Sequence, residues 1–395
     1  MRILMLSDVY FPRVNGVSTS IRTFARELLA LGHEVSAVAP SYGEAADVAH
    51  HGEGFEVRRV PARTIFFDPE DRLMRVADLR ALHGRLAARD WDAIHVHTPF
   101  RAHGLGVRIG RLTGAPVVET YHTYFEEYVA HYLPWLPRMA TRFAARTLSR
   151  RLCHEVDHLI VPSREMTGVL DRYGIRTPST VIPTGIHLDE FRGGDGAAFR
   201  ARHGIRPGQP TIVTVSRLAQ EKNIAFLLRV AQRLVPDFPD LCFVIAGEGP
   251  DALRLKRLAG ELGIGDNVRF FGNLDRRSTL LDCYRAGDAF VFASPTETQG
   301  LVLLEAMALG VPIVSTAVMG TATVLEGASS ARVAREDEAD FAAHVAAVLR
   351  DPALRASLGA AGPGDAQRWS APVLMRQVEA LYASLAPRGR RAAAA

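Results

Sequence analysis

The chain has 395 residues, a formal net charge of +4, and 48% hydrophobic against 23% charged residues. That length supports two domains with sizeable cores, and that balance excludes disordered and fibrous classes. A sequence pI near 9.1 leaves room for a local basic patch facing phosphate or an anionic membrane surface, while no nucleic-acid module is recognisable.

Cys153, Cys242 and Cys283 are odd in number and far apart, and lie in apolar or helical contexts. They read as reduced packing residues of a cytoplasmic protein, and no metal-ligating cluster is visible. The N-terminus enters a short strand too brief for a signal sequence, and no run approaches 18 apolar residues, so a secreted or membrane-spanning protein is not expected. Docking on the inner face of a membrane stays open.

Residues 2 to about 190 alternate apolar runs at 3–6, 35–39, 57–60, 93–96, 117–121, 159–161 and 181–183 with helical patterns, which predicts a parallel, doubly wound sheet. The Gly-rich stretch Arg192-Gly-Gly-Asp-Gly196 breaks the rhythm and reads as a linker. The alternation resumes at 212–215, 242–246, 268–271, 289–293 and 313–315. The expected architecture is therefore α/β with two Rossmann-like domains, 1–190 and 197–365. A final helix near 373–387 is expected to cross back to the first, and 388–395 to fray.

Several strand ends carry candidate chemistry. The loop after the first strand contains Gly16, where backbone could approach a phosphate. Glu119-Thr-Tyr-His122 ends the fifth strand, and a histidine there faces the crevice where open α/β sheets bind ligands; His97, in His95-Val-His97, is a weaker candidate. In the second half, Ser216-Arg217-Leu-Ala-Gln-Glu-Lys222 places two cations five residues apart at a strand-to-helix junction, where they can converge on a diphosphate. Gly247-Glu248 and Gly272-Asn273 are strand-end turns suited to lining a base pocket, although turn chemistry alone explains them.

Two patterns carry less. Asp90-Trp-Asp92 has metal-binding spacing but precedes its strand, on the edge opposite the crevice. Gly104-Leu-Gly106-Val-Arg-Ile-Gly110 misses the dinucleotide fingerprint by one position and reads as ordinary helix.

The stretch from Ser294 to Gly310 is the densest. Glu297 lies in a loop after a buried strand, and Glu305 eight positions on lies inside a short helix with almost no polar face. A carboxylate buried there needs a partner, since an unpaired one costs at least several kcal/mol. An internal ion pair would supply it; so would a sugar or diol held beside the free N–H groups of the helix.

Glu297 to Glu305, with Gly300 between them and the continuation Glu-Ala-Met-Ala-Leu-Gly-Val-Pro, resembles the motif of retaining nucleotide-sugar glycosyltransferases of the two-domain GT-B fold, whose domains face a central cleft. Many relatives have an aromatic residue and then Gly after the first Glu. This chain has Thr298-Gln299-Gly300, as lipid glucosyltransferases of the family often do. The resemblance implies that Glu297 and His122 hold the donor sugar, Arg217 and Lys222 its diphosphate and Glu305 its ribose. Gly16, Gln299, Gly300 and Leu301 would complete the donor loops, although only one of the two glycines usual at the first loop is present.

The implied donor is a UDP- or GDP-hexose, with no metal or other cofactor. A same-fold epimerase or a non-catalytic nucleotide-sugar sensor are the alternatives. The aromatic segment 121–134, including Tyr124, and the Arg-rich stretch with Arg138, Arg142, Arg146 and Arg150 on one side of a helix resemble the acceptor region of members that glycosylate diacylglycerol-type lipids. A solvated charged face explains the arginines nearly as well.

Overall fold

The structure, a computed structural model, describes residues 1–44, 47, 54–65, 68–122, 138–276 and 278–386. Tyr124 and most of the aromatic segment lie outside the described residues. The chain divides into two compact units: residues 1–185 with 371–395, and residues 186–370.

In the first unit, β1 (Arg2–Leu6), β2 (Glu34–Pro40), β3 (Glu56–Val60), β6 (Ala93–Val96), β7 (Val117–Thr120), β8 (His158–Val161) and β9 (Ser179–Val181) form one sheet. Its order is β3-β2-β1-β6-β7-β8-β9, and its pairs are parallel. The order reverses between β1 and β6, and such a switch point opens a crevice at the C-terminal strand ends. An antiparallel hairpin, β4 (Ala62–Ile65) and β5 (Asp68–Met74), follows β3. Its charged sequence hides the alternation that would have announced it.

The helix Ala371–Leu385 belongs to this unit, because Leu374, Met375, Val378 and Tyr382 join the core of Ile3, Phe24 and Leu28. In the second unit, β10 (Thr211–Val215), β11 (Cys242–Ala246), β12 (Val268–Phe270), β13 (Ala289–Phe292), β14 (Ile313–Ser315) and β15 (Ala331–Val333) are parallel in the order β12-β11-β10-β13-β14-β15. Strand period two splits their side chains between two cores: Phe243, Ile245, Ala289 and Val291 on one face, Cys242, Val244, Phe290 and Phe292 on the other. Burial on both faces explains runs that read as continuously apolar. The switch point lies between β10 and β13.

The stretch expected as a linker, Arg192–Gly196, begins shortly after the point where the compact units divide. The division falls at Gly185, and Asp195 caps a helix, Gly196–Arg202. A Cβ on Gly196 would lie 2.2 Å from the Arg285 carbonyl oxygen, so glycine here permits close packing rather than flexibility.

Candidate active site

Of the predicted donor residues of the second unit, Arg217, Lys222 and those from Glu297 to Glu305 lie after the two strands that flank its switch point, β10 and β13. After β10 the chain makes a 3-10 turn, Gln220–Lys222, and Asn223 takes a left-handed φ of 55° before the helix Ile224–Leu234. After β13 comes the loop with Glu297. Ser294 Oγ donates to the Glu221 carbonyl at 2.9 Å and Asn223 Nδ2 to the Ala293 carbonyl at 3.2 Å, tying these loops together.

That tie brings Lys222 and Glu297 into contact: the Nζ donates to Glu297 Oε1, with side chains 21% and 18% exposed. Arg217 Nη1 lies 3.9 Å from Glu221 Oε1. The sequence placed both cations on a diphosphate; in the structure each faces a carboxylate of its own chain.

Gly300 precedes the helix Leu301–Ala308 with a φ of 90°, a left-handed conformation that a side chain would strain. Gln299 is buried, Leu301 is half-buried, and the Gly320 N–H donates to the Glu297 carbonyl at 2.8 Å. The loop is thus fixed from both sides.

Glu305 sits in that helix, 3% exposed. Arg276 Nη2 donates to its Oε1, and the Tyr284 hydroxyl donates to its Oε2 at 2.8 Å. Both oxygens therefore have internal donors. The Glu305 charge and hydrogen bond, outweighing burial, hold Arg276 above its ordinary range; burial and the same carboxylate push Tyr284 well up. Arg276 and Tyr284 were missed in the sequence because a partner 29 or 21 residues away leaves no local pattern.

Beside them, the Gly247 N–H donates to the Gly272 carbonyl at 2.6 Å and Asn273 Nδ2 to Glu248 Oε2 at 3.2 Å. These two strand-end turns form one surface.

In the first unit, His122 follows β7. Its Nε2 lies 3.3 Å from His97 Nδ1, and the His95 and His97 rings are 4.0 Å apart. His95 bonds Thr120 Oγ1 at 2.7 Å and the Tyr382 hydroxyl at 2.6 Å. Burial lowers all three imidazoles, His122 to about 4, His95 to about 3 and His97 well below the ordinary value, so the cluster is uncharged at neutral pH. His95 had a signal in His-x-His, since alternate residues of a strand share a face.

Asp8, after β1, was also passed over. It accepts from the Thr98 hydroxyl at 2.8 Å and the Ala102 N–H at 3.1 Å, and burial raises it to about 6.

Gly16 does not lie in the loop but opens the helix Gly16–Ala30, capped by the Asn15 side chain. A Cβ there would meet no atom within 4 Å, so nothing inside the chain demands glycine. Asp92 accepts from the Arg2 N–H at 2.7 Å, at the N-terminal strand edge. Among the described residues no group of three or more His, Cys, Asp or Glu could hold a metal ion.

The Arg-rich stretch forms the helix Arg138–Cys153. Thr141, Ala145, Ser149 and Cys153, at every fourth position, are buried, while Arg142, Arg146 and Arg150 are exposed alongside Met139, 85% exposed, and Phe143, 73% exposed. Arg142, Arg146 and Arg150 thus face outward together with Met139 and Phe143, because the small residues make the packed face. Arg146 stands over the Tyr173 ring. No described helix is long and apolar enough to cross a membrane.

Two parallel-sheet units, each with a switch point in its strand order, define a two-domain α/β protein of the GT-B class. Residues 14–190 match the family described as Glycosyltransferase Family 4, and residues 195–365 match Glycosyl transferases group 1. The chain is 35% identical to the alpha-monoglucosyldiacylglycerol synthase of Streptococcus pneumoniae, over 80% of this chain and 71% of that protein. It is 26% identical to the phosphatidyl-myo-inositol mannosyltransferase of Mycolicibacterium smegmatis, over 98% and 95%. Among solved structures, the sucrose-phosphate synthase of Thermosynechococcus elongatus has a TM-score of 0.78 at 21% identity, over 98% and 99%. HepE of Anabaena, in complex with UDP, has a TM-score of 0.76 at 17% identity, over 97% and 100%. The chain belongs to this glycosyltransferase family and is a glycosyltransferase.

Proposed function

We propose that this enzyme moves a hexose from a UDP- or GDP-sugar to a membrane lipid, with retention at the anomeric carbon and without a metal. The observation that carries the reading is the meeting of Lys222 and Glu297 across the switch point, which puts a cation for phosphate and an acceptor for sugar hydroxyls at one spot.

Lys222 and Arg217 hold the donor diphosphate in this reading. As the bond from the anomeric carbon to phosphate oxygen breaks, its electron pair stays on the diphosphate, and fixed cations stabilise that charge. Glu297, released from Lys222, accepts from the sugar hydroxyls and Glu305 from the ribose, while Glu248 and Asn273 meet the base. Gly16, Gln299, Gly300 and Leu301 shape the loops around it. The uncharged His122 imidazole meets the sugar, and as the acceptor hydroxyl oxygen bonds to the anomeric carbon on the face the diphosphate leaves, a leaving-phosphate oxygen takes that hydroxyl's proton.

The lipid acceptor is supported by relatives whose names carry diacylglycerol and phosphatidyl-myo-inositol. Support within this chain comes from Met139 and Phe143 standing outward among arginines. Each basic residue near an anionic surface contributes about 1 kcal/mol, screened by salt, and the apolar pair adds a salt-independent part. That supports an enzyme working peripherally on the inner face of the cell membrane.

Co-sedimentation with vesicles tests this surface. Arg142→Glu with Arg146→Glu should abolish binding to anionic vesicles at low salt, and Met139→Ser with Phe143→Ser should weaken it at every salt concentration. Binding that ignores lipid charge and both pairs of substitutions would point to a soluble acceptor. A thermal-shift panel of UDP- and GDP-sugars tests the donor, since a ligand of the folded state raises its melting temperature.

A further inference from the structure

The two donors to Glu305 differ in kind. Tyr284 is fully buried in the core under β13, so its hydroxyl cannot leave without unpacking. Arg276 lies on the turn after Gly272 and Asn273 and its side chain is 30% exposed. It reaches the buried carboxylate from the solvent side, and rotation of its own side chain can withdraw it. A guanidinium offers a carboxylate paired N–H donors, and a vicinal diol offers two O–H donors in much the same place.

Arg276 also has a second carboxylate within reach of its charge. Glu190, in the 3-10 turn Leu188–Phe191, contributes to holding Arg276 protonated, and Phe191 of that turn shares a core with Leu303 and Leu304 of the helix that carries Glu305. An arginine withdrawn from Glu305 therefore does not have to stand unpaired.

We propose that Arg276 is a resident counter-ion on Glu305, holding the place of the donor's ribose, and that nucleotide binding moves it from Glu305 towards Glu190. This rests on the reading of Glu305 as the ribose carboxylate. The turn that carries Arg276 also carries Gly272 and Asn273, so a nucleotide whose base meets that turn and whose ribose meets Glu305 engages both ends of the latch. Donor affinity is then set partly by the strength of an internal ion pair.

The test is calorimetric titration of UDP and of GDP into the full chain and its Arg276→Met, Arg276→Lys and Glu190→Gln variants. A latch closed about nine-tenths of the time weakens apparent affinity about tenfold. Arg276→Met, which keeps the apolar stem, should therefore bind the preferred nucleotide about tenfold more tightly than the unaltered chain. Arg276→Lys should fall between them, and Glu190→Gln should bind more weakly. Should Arg276→Met not fold, the other two variants decide by the same signs.

Weaker or unchanged binding in Arg276→Met and Arg276→Lys would overturn the proposal: weaker binding would make Arg276 a direct nucleotide contact, and unchanged binding a fixed structural partner. If the unaltered chain binds neither nucleotide, the donor reading itself falls and the latch with it.

Discussion

The strand ends of the two units solve different problems. Those of the second carry opposite charges in pairs, Lys222 with Glu297 and Arg276 with Glu305, whereas those of the first carry three histidines that burial keeps uncharged. Paired charges can be exchanged for a ligand's phosphates and hydroxyls. An uncharged cluster can only orient. On the proposed reading, paired charges such as those of the second unit are the kind that can meet a leaving group's developing charge, and uncharged imidazoles such as those of the first the kind that hold a substrate without adding charge.

The comparison can be broken in several ways. The largest effect is expected from Glu297→Gln, which keeps the shape of the loop and removes the charge that answers Lys222. Turnover should fall at least about a hundredfold while the melting temperature stays close to that of the unaltered chain; unchanged turnover would remove Glu297 from the site.

Glu305→Leu should act on stability as well. Removing one partner of a buried ion pair is strongly destabilising, and about 3 kcal/mol is expected because Arg276 keeps solvent on one side. Denaturant unfolding measures it. Loss of stability without loss of nucleotide affinity would make the pair purely architectural.

On the uncharged side, His122→Ala should lower turnover only about tenfold, as for loss of one positioning contact. The histidines also predict a pH dependence. Their folded-state values lie below the ordinary 6.5, so between about 4 and 6.5 the unfolded chain binds more protons and stability falls as pH falls. Asp8, raised to about 6, opposes this between 3.8 and 6. His103 is lowered by burial but raised more by Glu119 and Glu155, so its contribution is lost only as pH rises above 6.5. The net expectation is a melting temperature that drops from pH 6.5 to 4, with a shallower slope in His97→Gln. An equal slope in that variant would place the effect elsewhere.

The smallest expected effect is that of EDTA. Transfer should persist, as expected of an enzyme in which Lys222 and Arg217 take the place of a metal. Inactivation reversed by magnesium or manganese would show that role to be incomplete.

What the sequence disclosed follows from how local each signal is. Buried parallel strands are continuous apolar runs, so 242–246 and 313–315 were read with the ends the structure gives them. The strand Ala331–Val333 and the charged hairpin after β3 lack that contrast and were passed over. The stretch with Glu297 and Glu305 stood out because a strand, a loop, a glycine and an apolar helix follow one another within 20 residues. The need for a partner at Glu305 could be argued from burial alone; that the partner is Arg276 could not, since only the fold brings the turn after β12 to the helix after β13. Glycine is ambiguous at Gly196 because the same residue type serves flexible linkers and tight packing, and only the structure shows the close approach to Arg285.

The most direct test of the central claim is analysis of the product. UDP-glucose, UDP-galactose and GDP-mannose are each incubated with the enzyme and vesicles containing diacylglycerol or phosphatidylinositol, and the lipid fraction is examined by NMR at the anomeric carbon. The account predicts a hexosylated lipid with the donor's anomeric configuration, formed by the unaltered chain and nearly absent with Glu297→Gln. A product of inverted configuration, an epimerised donor, or a donor bound and returned unchanged would contradict it.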